Sequence, residues 1–373
     1  MTMRIAAVGD IVLQLDEHDE RFVPSAPAIK AADVAIGQIE VPHTTETDVV
    51  GITVPAPPAD PDALGAMARA GFTVGTVAGN HAYDLGTRGV LDTLRNAERF
   101  GIATTGTGAN MAEALRPAIA EAKNKTVGVL SFNCVGPRES WATSKKAGSA
   151  YVKVLTHYDL DDMNPGNPPQ VYTFCDRTSL EQMKTAIAET REKVDIVVVA
   201  LHKGYGHTPA RIDDYEYEVS HAAVDAGADL VVGHHSHIMR GVEIYKGRAI
   251  FHGLGNFVTV TSALTPDPDS DSEELKAWAR RREEMFGFSP DPNTPGYPFH
   301  PESRNTAIAV LDVDDDGTLA AGFIPCWIDE RARPVPLGEG QEGDRVTEYI
   351  RSITSTAGLG TQFTWDGDTV RVT

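Results

Sequence analysis

Short runs of β-branched and aliphatic residues, each followed by a polar turn and a helix-length stretch, set the tightest limit on what this chain can fold into. They fall at roughly Met3–Val8, Val34–Ile39, Thr73–Val77, Val127–Phe132, Ile196–Leu201, Leu230–Val232, Ala249–His252, Ala307–Val313 and Ala320–Ile324. Continuous apolar runs of this length belong to buried, largely parallel strands. The segments between them, such as 61–71, 88–101, 179–193 and 214–227, carry helical spacing and end in Gly or a basic residue, as helix C-termini do. The pattern predicts an α/β protein of βαβ units. At 373 residues the chain has ample length to bury a core.

The polar residues capable of chemistry fall just after these runs. Asp10 follows the first, Glu40 the second, Asn80 and His81 the third, and His202 the fifth; His234, His235 and His237 follow the sixth, and Asn256 the seventh. In an open α/β sheet the carboxyl ends of the strands form one rim, where ligands bind. Seven of the twelve histidines (His81, His202, His207, His234, His235, His237 and His252) lie within a few residues of that rim. Taken singly, an Asp or Asn after a strand is commonly a turn former or a helix cap, and a lone His a packed residue. Taken together they make a mixed oxygen and nitrogen donor set. Such a set suits Mn, Zn or Fe and is too nitrogen-rich for a dedicated Ca or Mg cage. One or two divalent metal ions per chain are therefore expected.

Charge narrows the partners. With 33 Lys+Arg against 53 Asp+Glu the formal net charge is −20, which repels phosphate backbones and anionic lipid alike, so neither nucleic acid nor membrane is an expected partner. A small-molecule or peptide substrate is. Three widely spaced cysteines do not form a disulfide framework and suit a reducing compartment. The opening MTMRIAAVGDIVLQ runs straight into a strand-like segment without a leader pattern, and no stretch reaches the apolar length of a membrane span. These features predict a cytoplasmic protein.

The strings AAVGD (Ala6–Asp10), GNHAYDLG (Gly79–Gly86), GADLVVGHHSHIMRGVEIYKGRAIFHGLGNF (Gly227–Phe257) and His202-Lys203-Gly204 resemble the CapA family. These are capsule or poly-γ-glutamate biosynthesis proteins with a calcineurin-like metallophosphatase fold, and the resemblance covers about the first 260 residues. It implies a four-layer α/β/β/α sandwich with a one- or two-metal site. Asp10, Glu40, Asn80, His81, His202 and two of His234, His235 and His237 would then be ligands, the spacing leaving open which two. The chain departs from the family at Gln38, where Asn is common, and at Lys203, where Trp is common; His252 stands four residues before Asn256. Phosphoesterases of this fold usually carry D-x-H, whereas here Asp10 is followed by Ile11 and Val12.

Around the ligands, His202, Lys203, His207 and Asp84 are the catalytic candidates. Lys203 adjoins a ligand, where a metal would depress its pKa, although alternation along a strand turns neighbours to opposite faces. His207 and Tyr205 are proton-transfer candidates in a Gly-rich loop. Asp84 would orient an imidazole N–H or cap the helix beginning near Thr87. Tyr83, Tyr205, Arg240 and Asn256 are candidate substrate contacts, and Arg138 and Arg240 would hold a substrate carboxylate. Cys134 has no identifiable base and reads as a packed thiol. The domain expectation is a catalytic unit at 1–330 with lid-like insertions near 136–175 and 265–301, and a C-terminal extension at 331–373 packed on it. A metal-dependent hydrolase acting on an amide, peptide or phosphoester is the leading functional reading. A metal-dependent peptide or amino-acid epimerase and a poly-γ-glutamate biosynthesis protein are the alternatives.

Overall fold

The computed structural model describes residues 2–50, 56–160, 166–262 and 273–373. Two sheets carry the fold. Among the described residues the larger runs Phe363–Asp366, Thr369–Val372, Leu319–Ile328, Asn305–Val313, Met3–Leu13, Val34–Ile39, Val74–Thr76 and Ala103–Thr105; Asn256–Val260 joins beside Met3–Leu13, and Pro334–Pro336 beside Leu319–Ile328. The smaller runs Val242–Tyr245, Arg248–Phe251, Leu230–His234, Ile196–His202, Lys125–Asn133 and Ala118–Ala122. The strands that carry the rim residues pair in parallel within each sheet, and antiparallel strands are added outside them.

Side chains alternate along each strand, which sorts them into layers. Met3, Ile5 and Ala7 share one core with Val127, Val129, Val198, Ala200 and Val232 of the other sheet, so the two sheets face each other. Ala6, Val8 and Ile11 point outward onto Phe22, Ile29, Leu64 and Met67 of the covering helices. Leu130, Phe132, Val197 and Val199 do the same on the far side, against Met183, Ile187, Val219 and Ala223. The result is the helix, sheet, sheet, helix sandwich that the family resemblance implies. Each fully buried Val, Leu or Ile contributes roughly 1.5–3 kcal/mol to that arrangement.

Met3–Leu13 changes neighbour halfway along. Met3–Ala7 pair with Leu311–Val313 and the residues before them, whereas Asp10–Leu13 pair with Asn256–Val260. Register shifts bracket Asp10 against both of its parallel partners. An irregularity of this kind re-aims a side chain, and here it falls on a rim carboxylate. Gly9 makes the crossing feasible: a Cβ there would stand 2.0 Å from the Gly255 carbonyl oxygen.

Residues 331–373 are woven into the sandwich. Gly322 and Phe323 pair with Arg371 and Val370, and Val346, Ile350 and Ile353 of the helix Gln341–Thr356 enter the core between the sheets. The insertion near 136–175 contains the hairpin Val154–Asp159 and Gln170–Cys175; its residues 161–165 lie outside the described residues. The insertion near 265–301 contains the helix Glu273–Phe286, and its residues 265–272 likewise lie outside them. No helix among the described residues is long and apolar enough to cross a membrane.

Candidate metal centre

Parallel register brings the strand ends level: His202 stands opposite both His234 and Asn133. Asp10 and Glu40 reach the same rim from the larger sheet, and both are buried. Asp10, Glu40 and His237 offer three donor atoms within 4.8 Å of one another. His237 Nε2 lies 3.3 Å from Glu40 Oε1, and its Nδ1 lies 3.6 Å from Asp10 Oδ2. The Nδ1 proton is donated to Asn256 Oδ1 at 2.9 Å, which turns Nε2 toward Glu40. Asn256 in turn donates to the Tyr297 hydroxyl at 3.1 Å. Its amide therefore orients an imidazole, which differs from the substrate contact expected of it.

A second group adjoins the first. Asn80 Oδ1 meets His202 Nε2 at 2.7 Å and His235 Nδ1 at 3.2 Å. The His235 backbone N–H donates to Asp10 Oδ2 at 3.1 Å, joining the two groups. His81 Nδ1 donates to Asp84 Oδ2 at 2.7 Å, leaving Nε2 free, so Asp84 is placed to orient the ring. His234 turns away and contacts the Val8 carbonyl through Nε2 at 3.0 Å. Of the three clustered histidines, His235 and His237 thus meet the carboxylate and amide groups. Both take left-handed backbone conformations, with φ of 84° and 52°, unusual for residues bearing a side chain.

The electrostatics fit a cation. Burial and the Glu40 carboxylate push Asp10 well above its usual range. Burial would raise Glu40 too, but the His237 imidazolium beside it outweighs that and holds it down. Burial opposes charge on His237, yet Glu40 and Asp10 drive it up to about 9. Burial and neighbouring imidazoles hold His202 low and His235 to about 3, so both are neutral bases. Asp10 Oδ1 and both Glu40 oxygens are buried without a hydrogen-bond partner. Buried acceptors are ordinarily satisfied, and a divalent cation satisfies such a set without adding a donor.

Other expected participants are placed elsewhere. Lys203 and Arg240 are fully buried and bind Glu216 Oε2, at 3.1 Å and 2.5 Å. That corrects their assignment as rim base and substrate contact, because their donors are turned into an internal ion cluster. Tyr205 is 42% exposed under the Arg211 guanidinium, and Tyr83 lies under the Lys146 ammonium. Burial pushes the Cys134 thiol up to about 12, unsuited to a nucleophile. The His207 ring sits 6.0 Å from His237 and about as close to Phe286, Phe288 and Phe299. Burial and His237 lower it to about 2. This aromatic wall, supplied by the second insertion, could be sought in the sequence only as unassigned Phe residues in a Pro-rich stretch. Glu216 was hidden differently, as the third residue of an ordinary helix start.

Two facing sheets covered by helices, with carboxylates, imidazoles and an amide gathered at the strand ends, define an α/β/β/α sandwich with a candidate metal site. Within that class, residues 4–261 match the family described as bacterial capsule synthesis protein PGA_cap, and the chain belongs to this family. It is 30% identical over 296 residues to the capsule biosynthesis protein CapA of Bacillus anthracis, covering 79% of this chain and 57% of that one. It is 28% identical over 263 residues to the PGA biosynthesis protein CapA of Bacillus subtilis strain 168, covering 67% and 62%. The chain therefore spans about three-fifths of the length of these relatives. The calcineurin-like phosphoesterase YfkN of Bacillus subtilis is similar at 12% identity with a TM-score of 0.41, covering 96% of this chain and 98% of that one.

Proposed function

We propose that this chain serves bacterial capsule or poly-γ-glutamate biosynthesis through metal-dependent hydrolytic chemistry at the rim, with an amide of the polymer or a related peptide as substrate. The observation that carries this is the convergence of Asp10, Glu40 and His237, whose donor atoms lie within 4.8 Å of one another with both carboxylates buried. The names of the CapA relatives supply the polymer class.

Asp10, Glu40, Asn80, His81, His202, His235 and His237 would hold one or two ions of Mn, Zn or Fe. A divalent ion there supplies Lewis-acid polarisation of a carbonyl or phosphoryl oxygen and acidifies water at neutral pH. Asp84 and Asn256 fix the ring orientation of His81 and His237. Phe286, Phe288 and Phe299 gather around His207 beside His237, lowering the local dielectric and excluding solvent from that side. His207 is neutral with Nδ1 unpartnered, and burial beside His237 opposes its protonation, so it lines the site as an uncharged ring.

Epimerisation would need a base beside a substrate α-carbon. The involvement of Lys203 with Glu216 and His252 favours the hydrolytic reading. The test is incubation of Mn²⁺-loaded protein with poly-γ-glutamate and with simple phosphoesters in ¹⁸O- and deuterium-labelled water. Hydrolysis places ¹⁸O in the product. Deuterium at an α-carbon without bond cleavage overturns this reading in favour of epimerisation.

A further inference from the structure

We propose that Glu216 is the positioning residue of the metal centre, one carboxylate that sets the spacing between His202 and the loop bearing His235 and His237. The proposal rests on the metal reading above.

Glu216 is wholly buried at the start of the helix Asp214–Asp225. Its Oε1 accepts from the Asp213 backbone N–H at 3.1 Å, which anchors the carboxylate to the helix end. Its Oε2 accepts from Lys203 Nζ and Arg240 Nη1. Lys203 directly follows His202, and its backbone N–H donates to the His234 carbonyl at 3.2 Å. Arg240 lies three residues beyond His237, and its backbone N–H donates to the Gly253 carbonyl at 3.0 Å. A single carboxylate oxygen therefore joins the segments that present both groups of ligands. The neighbouring Tyr215 hydroxyl accepts from the Gly204 N–H at 2.7 Å, gripping the same turn.

The surrounding backbone is shaped for this contact. A Cβ on Gly204, where φ is 92°, would meet Arg240 Nη1 at 2.0 Å and Glu216 Oε2 at 2.8 Å. A Cβ on Gly253 would meet Arg240 Cγ at 2.9 Å. The guanidinium passes between two glycines to reach Glu216. His252 Nδ1 contacts Lys203 Nζ at 3.0 Å, and His252 Nε2 contacts Glu243 at 2.9 Å, completing the cluster. Burying such charges costs desolvation that apolar packing would avoid. What the cluster supplies is geometry, and groups that orient metal ligands typically govern affinity by about 10- to 100-fold.

The experiment measures Mn²⁺ and Zn²⁺ affinity of the full chain by calorimetry, alongside thermal melting, for wild type, Glu216→Gln and Asp312→Asn. Asp312 joins Arg4 and Arg371 in another ion cluster, so its variant reports general loss of a half-buried charge pair. Glu216→Gln is expected to weaken metal binding about tenfold or more, and Asp312→Asn to leave affinity within about twofold while lowering the melting temperature. Should Glu216→Gln not fold, Glu216→Asp keeps the charge but shortens its reach, and the same loss is expected. Affinity within about twofold of wild type in the folded Glu216 variant, or equal losses in both clusters, overturns the proposal. Wild-type protein that binds neither ion overturns the metal reading itself, a distinct result.

Discussion

The carboxylate group around Asp10 and the ion cluster around Glu216 are both buried and both meet the strand ends, but they leave different things open. In the Glu216 cluster the carboxylate has Lys203, Arg240 and the Asp213 N–H on its oxygens. At the rim, Glu40 faces only the His237 imidazolium, 3.3 Å from its Oε1, and Asp10 stands close by. Burial of charge does not distinguish a structural node from a binding centre. The balance of donors against acceptors does, since buried carboxylates short of donors must take up either a proton or a cation.

That contrast is broken most directly by Asp10→Asn or Glu40→Gln. Each should weaken Mn²⁺ or Zn²⁺ binding about a thousandfold, roughly 4 kcal/mol, while the metal-free melting temperature holds or rises for Asp10→Asn, where a buried repulsion is relieved, and falls slightly for Glu40→Gln, which also loses its pair with His237. Calorimetry and melting on the same samples check both parts; a large loss of metal-free stability with binding intact would erase the distinction. Lys203→Met, which leaves Glu216 short of a donor, should instead act chiefly on stability, with a metal-affinity loss of only about tenfold. Urea unfolding should show a loss of about 3 kcal/mol.

A smaller effect comes from pH. His237 is raised to about 9, and its imidazolium must lose a proton before it can ligate. Apparent metal affinity should therefore rise about tenfold per pH unit from 6 to near 9 and then level off. Titrations in that range showing no slope would mean that His237 is not a ligand. Smallest of all, Cys134→Ala should retain metal binding and change stability by only about 1 kcal/mol, since the thiol is packed in the core. A Cys134 variant that keeps metal but loses activity would overturn its assignment as packing.

The rim was legible in the sequence because parallel strands place their terminal residues together, and Asp10, Glu40, Asn80, His81 and His202 each follow an apolar run. Direction within the loops was not. His234, His235 and His237 are indistinguishable by spacing, and their separation depends on left-handed backbone at His235 and His237, which alternation rules do not describe. Lys203 illustrates the reverse: strand alternation already turned it from the rim, and the structure shows the carboxylate it turns toward. Glu216 was out of reach because a capping-box Glu has a complete local explanation. Its distant contacts, to Lys203 and Arg240, leave no periodic trace. Neither did the added strand Asn256–Val260, whose first residue carried a functional expectation that masked its structural one.

The divided pairing of Met3–Leu13 also bears on the order in which the molecule is made. Ribosomal synthesis delivers the first strand early, but its neighbours at 256–260 and 305–313 emerge some 250 to 300 residues afterward. Until then an apolar strand has one side without its native partner, and such edges invite wrong pairing in a growing chain. Closing contacts across so long a stretch of sequence is slow. Asp10 lies at the crossing, so its carboxylate is held in place beside Glu40 and His237 only once residues 256–260 have paired with the first strand.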